Sequence, residues 1–65
     1  MTRTVELYPH EHLRILRSRL ELTQSALAKR LGVSRQAVNY YEQGVNSIPA
    51  TTLATVERMT LEEAA

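Results

Sequence analysis

The sequence predicts an all-α fold, a small bundle of four helices (four to five at the outside). Three observations carry that prediction. Apolar residues recur at spacings of three and four, as at Leu13, Leu16 and Leu20, which places them on one helical face. Thr23 and Ser34 stand where helices begin, and the two glycines, Gly32 and Gly44, stand where helices end. Strand-like alternation is confined to residues 2–8.

Residues 1–9 read as an N-terminal arm or short strand, with Val5 and Leu7 on one side. Pro9 biases Tyr8 towards an extended backbone, and a frayed terminus fits the same residues. A first helix is expected over 10–21, with Leu13, Leu16 and Leu20 as its inner stripe and Arg14 and Arg19 on other faces. Thr23 caps a second helix over 24–31, in which Leu27, Ala28 and Leu31 share a face. Gly32 stops it, because a residue just past a helix often takes positive φ, and Val33 plugs the turn. Ser34 caps a third helix over 35–43, with Val38 and Tyr41 inward and Gly44 as its stop. Pro49 opens a fourth over 50–62, where its missing N–H is harmless. Leu53, Val56 and Met59 or Thr60 form its inner face. Residues 10–65 are therefore expected to make one domain, and a chain of 65 residues has material for no more.

Composition removes several functional classes. The absence of cysteine rules out disulfides and thiolate metal sites, and fits a reducing cytoplasm. No apolar run approaches the ~20 residues of a membrane span, and no secretory apolar segment follows the first residues, so no membrane partner is expected. His10 and His12 are two apart, which on a helix turns them about 200° away from each other, so they do not share a metal. With glycines only at 32 and 44 there is no phosphate-cradling loop. No cofactor, metal or catalytic residue is expected, and the chain does not read as an enzyme.

The net charge of +1 is unevenly spread. Residues 10–44 hold six cations (Arg14, Arg17, Arg19, Lys29, Arg30, Arg35) against three carboxylates (Glu11, Glu21, Glu42), a balance of +3. Residues 45–65 hold Arg58 against Glu57, Glu62 and Glu63, a balance of −2. A basic body with an acidic end suits a partner rich in phosphate.

Thr23 to Gly44, TQSALAKRLGVSRQAVNYYEQG, concentrates the information. A short capped helix, a glycine turn and a second capped helix form a helix-turn-helix. The turn demands an αL residue, hence Gly32; the close crossing demands a small side chain, hence Ala28; Val33 and Val38 close the corner. Backbone N–H groups and the Ser34 hydroxyl at the start of the third helix suit phosphate. In a major groove, Arg pairs bidentately with guanine, and Gln or Asn with adenine.

These residues resemble the phage repressor/Cro-type helix-turn-helix domain, a lambda-repressor-like fold also called the xenobiotic-response-element family. Its pattern appears as Arg17, Thr23-Gln24, Leu27-Ala28, Leu31-Gly32-Val33-Ser34 and Glu42-Gln43-Gly44, over about half of the chain. Ile48-Pro49-Ala50 and Val56-Glu57-Arg58-Met59-Thr60 resemble the segment that follows the motif in small Cro-like proteins. The resemblance implies that Arg35, Gln36, Asn39 and Tyr40 read base edges. It implies that Gln24 touches a phosphate and braces the next helix; Ser34, by the chemistry of a helix start, and Gln43 are also expected to position the phosphate backbone. Arg17 and Glu42 are implied as a structural ion pair tying the first helix to the end of the third.

Two departures from that pattern bear on the fold. Relatives often carry glycine where this chain has Glu21, so either the first helix runs on or Glu21 takes a strained conformation. Many relatives also have a fifth helix, whereas only Thr-Leu-Glu-Glu-Ala-Ala follows Met59. Val5 and Leu7 of the arm are expected to cover that side, within the monomer or across a dimer. A second candidate is a stripe of Leu53, Val56, Thr60, Leu61 and Ala64.

The expected function is a sequence-specific double-stranded-DNA-binding transcriptional regulator in a prokaryotic cytoplasm. It would be a Cro-like repressor from a phage or plasmid setting, a homodimer at least on DNA, with a pseudo-palindromic operator and no small-molecule effector. The alternative is an antitoxin-like or other protein-interaction module on the same fold. Polar Arg35, Gln36 and Asn39 on the exposed face favour DNA over a protein partner. An architectural DNA-bending role has no wedge residue to support it.

Overall fold

The structure is a computed structural model that describes residues 8–64. Those residues form four helices: α1 (Pro9–Arg19), α2 (Gln24–Leu31), α3 (Arg35–Gln43) and α4 (Ala50–Ala64). Val5, Leu7 and the rest of the expected arm up to residue 7 lie outside the described residues.

The first helix begins one residue before the expected 10, because Pro9 occupies its first turn and the Glu11 carboxylate accepts from the Tyr8 N–H at 3.3 Å. It ends two residues before the expected 21. Glu21 takes φ 56°, its N–H bonds the Ser18 carbonyl at 3.0 Å, and the Leu22 N–H bonds the Arg17 carbonyl at 3.2 Å. That pair of bonds is a Schellman ending built on a glutamate, so the strained option is the one adopted. Gly32 (φ 72°) and Gly44 (φ 76°) end α2 and α3 with the same bond pattern.

The two caps are made by hydroxyl oxygens: Thr23 accepts from the Ala26 N–H and Ser34 from the Ala37 N–H, both at 3.0 Å. Each satisfies one of the donors a helix start leaves open. Pro49 precedes α4, and its carbonyl accepts from the Thr52 and Leu53 N–H groups. α4 runs two residues past the expected 62, to Ala64.

α1 is the hub, packed against both α3 and α4, and α2 packs on α3. Leu13 and Leu16 of α1, with Leu20 just past its end, meet Leu27 and Ala28 of α2, Val38 of α3 and Val56 of α4 in one buried cluster. Leu22, Leu31, Val33, Tyr41, Ile48, Leu53 and Met59 pack around it. Fully burying a Leu or Val side chain contributes about 1.5–3 kcal/mol, which makes Leu13, Leu27, Val38 and Val56 the centre of stability. Thr60 lies half-buried on α4 because its hydroxyl is satisfied by the Val56 carbonyl at 3.0 Å.

The stripe expected to run on through Leu61 does not cover the core. Leu61 is 74% exposed, although it faces the end of α1. It stands beside a shallow groove lined by Arg19, Leu20, Glu21, Thr60 and Glu63.

Candidate nucleic-acid interface

α3 places Arg35, Gln36, Asn39, Tyr40 and Gln43 along one side, while Val38 and Glu42 turn inward. Ser34, Arg35, Gln36 and Gln43 are exposed; Asn39, Tyr40 and Gln24 are half-buried. The polar side is held from beneath by a charge pair. The Nε of Arg17 donates to Oε2 of Glu42 at 2.6 Å, and its Nη2 to Oε1 at 3.0 Å. Arg17 Nη1 donates to the Leu22 carbonyl at 2.9 Å. Glu42 is the buried charged residue of the core, and a carboxylate there is tolerable because both oxygens are occupied by donors.

From this pair the hydrogen bonds run outward. Gln24 Nε2 donates to Glu42 Oε1 at 3.1 Å and to Asn39 Oδ1 at 3.4 Å. Gln24 Oε1 accepts from Arg35 Nη1 at 3.4 Å, and Gln43 Nε2 approaches Asn39 Oδ1 at 3.4 Å. Six of the nine residues singled out in the sequence (Arg17, Gln24, Arg35, Asn39, Glu42, Gln43) are thus brought into one network. Gln36 and Tyr40 form a separate pair, Nε2 to the phenol oxygen at 2.7 Å. Ser34 joins neither; its hydroxyl oxygen is engaged in capping.

The residues match a family model described as a helix-turn-helix domain over positions 11–60, which takes in most of α1 and all of α2, α3 and the connecting turns. The chain belongs to the helix-turn-helix domain family. Comparison with curated proteins and with solved structures gave no match. A helix-turn-helix chain points to a DNA-binding regulator as its functional class.

Three features of this helix-turn-helix were missed by the sequence. Arg30, counted with the basic body, is paired with Glu63 of α4, so the acidic end reaches back to the end of α2. No local signal announces a pair 33 residues apart. The His10 ring lies over Gly44, the residue that ends α3, and Tyr8 stacks on His10 with ring centroids 5.6 Å apart. Beside them the exposed loop of Val45, Asn46 and Ser47 flanks the end of α3, and its polar composition was the available clue. Among the described residues, no group of three or more metal-ligating side chains comes together, and no helix is long and apolar enough to cross a membrane.

Proposed function

We propose that this chain is a sequence-specific double-stranded-DNA-binding transcriptional regulator that acts as a Cro-like repressor. α3 enters the major groove, Arg35, Gln36, Asn39 and Tyr40 read base edges, and Gln24, Ser34 and Gln43 position the phosphate backbone. The observation that supports this best is the exposed polar side of α3, tied through Gln24 to a partly buried ion pair. Such an arrangement holds reading side chains in fixed geometry before a ligand arrives, which lowers the ordering cost of binding. Occupancy of the operator, without a small-molecule effector, accounts for repression in a prokaryotic cytoplasm.

Binding is to a pseudo-palindromic operator by a dimer, with half-sites about 34 Å apart. The flank of α1 and α4 is our candidate for the dimer contact. Leu61 projects there among Arg19, Glu57 and Glu63, and Ile15 is exposed on α1. A patch holding both signs of charge and an apolar projection is complementary to a second copy of itself across a two-fold axis.

Selection from random duplex DNA, followed by binding to the winner at two salt concentrations, tests the reading. The expected result is an inverted repeat with half-sites one turn apart and an affinity that falls steeply with salt. Arg35→Ala should then cost about 1–3 kcal/mol on the winner and relax one position. A folded protein that enriches no sequence at modest salt would overturn the proposal in favour of a protein-interaction module.

A further inference from the structure

We propose that Asn39 reads its base as a hydrogen-bond donor only, so that it selects guanine rather than adenine. The inference rests on the DNA-binding reading and adds to it the chemistry of the base.

The first link is Glu42. Paired with Arg17, its carboxylate can only accept, so the end of the Gln24 amide 3.1 Å away is the NH₂ group. Arg35 can only donate, so the end of Gln24 facing it is the carbonyl oxygen. Both ends of the Gln24 amide are thereby fixed by partners of single polarity. The same NH₂ group of Gln24 faces Asn39 at 3.4 Å, and what it meets there is Oδ1. Gln43 Nε2 faces that oxygen from the other side, also at 3.4 Å.

Asn39 therefore turns its acceptor back into the protein and leaves its amino group for a ligand. The bidentate asparagine–adenine pair needs both ends of the amide, the oxygen accepting from N6 and the nitrogen donating to N7. With Oδ1 turned to Gln24 and Gln43, that pair would have to displace both contacts. A lone NH₂ group is best matched by guanine, which sets the N7 and O6 acceptors side by side in the major groove.

Arg35 leans the same way, since it carries donors alone. With Arg35 beside the Asn39 amino group, this end of α3 favours guanine on the contacted strand.

The experiment is selection from random duplexes by the full chain and its variants, with folding of each checked by circular dichroism. Asn39→Ala locates the base, as the one position whose preference is lost. Guanine should be favoured there by the wild type on the order of tenfold. Asn39→Asp, which replaces the donor by an acceptor, should move that position to cytosine. Gln24→Leu combined with Gln43→Leu frees Oδ1 and should admit adenine. Adenine at this position in the wild type would overturn the inference while leaving the DNA-binding reading standing, as would an Asn39→Ala variant with unaltered preference. Failure of the wild type to enrich any sequence would remove both.

Discussion

Arg17 grips Glu42 across 25 residues of sequence with two hydrogen bonds, 2.6 and 3.0 Å long, and the two partners are unequally buried. The Arg17 side chain retains 21% exposure and the Glu42 side chain 4%. The inequality gives the two truncations different costs. Arg17→Ala strands a carboxylate in the core with only the Gln24 amide as donor, and should cost about 3 kcal/mol or more. That is most of the stability of a domain this small, roughly 3–5 kcal/mol. Glu42→Ala leaves an arginine that still bonds the Leu22 carbonyl and can turn towards water, so it should cost less. Urea unfolding followed by circular dichroism measures both, and equal losses would contradict the argument.

Glu21 offers a gain in place of a loss. Its φ of 56° is a conformation that costs a residue with a Cβ about 1–2 kcal/mol, and glycine avoids the cost. Glycine also gains freedom in the unfolded chain, which offsets roughly 0.4–1 kcal/mol. Glu21→Gly should therefore stabilise the protein by about 0.5–1 kcal/mol and raise Tm by roughly 2–8 °C. A melting curve that is unchanged or shifted down would show that the strain at Glu21 does not exceed the entropic cost of glycine.

Gly32 and Gly44 share that backbone conformation but not their surroundings. A Cβ at Gly32 would meet nothing within 4 Å, so Gly32→Ala should cost the backbone strain alone, about 1 kcal/mol. A Cβ at Gly44 would lie 3.3 Å from the His10 ring, and Gly44→Ala should cost more. His10→Ala in the same chain should recover the excess, so a double-mutant cycle gives a coupling at position 44 and none at position 32. Equal costs at the two glycines would contradict the packing of His10 on the end of α3.

What the sequence revealed and what it hid divide by range. Thr23, Ser34, Gly32 and Gly44 are legible because caps and αL stops act within four residues, and each is favoured for one physical reason. The inner faces at Leu13, Leu16, Leu27 and Val38 are legible because periodicity is local. Glu21 left two outcomes open, since a non-glycine in αL carries no signal of its own. The Arg30–Glu63 pair and the orientation of the Asn39 amide depend on residues 33 and 15 positions away. A single sequence does not bring such residues together. Arg17 and Glu42 were the exception, because a family resemblance supplied the long-range information that periodicity lacks.

Leu61 tests the proposed dimer. An apolar side chain 74% exposed on α4 contributes little to the fold of one chain, so Leu61→Glu should change stability by no more than about 0.5 kcal/mol. If the α1–α4 flank meets a second copy, the same substitution places like charge beside Glu57 and Glu63 of its own patch and desolvates it against the other chain. Sedimentation equilibrium of the wild type should show dimer at concentrations where Leu61→Glu is monomer. On DNA, the variant should retain half-site contacts and lose the steep gain in affinity that two joined half-sites confer. A variant that stays dimeric would exclude this flank. Deletion of residues 2–7 provides the comparison: dissociation caused by that deletion, with Leu61→Glu still dimeric, would assign the contact to the arm instead.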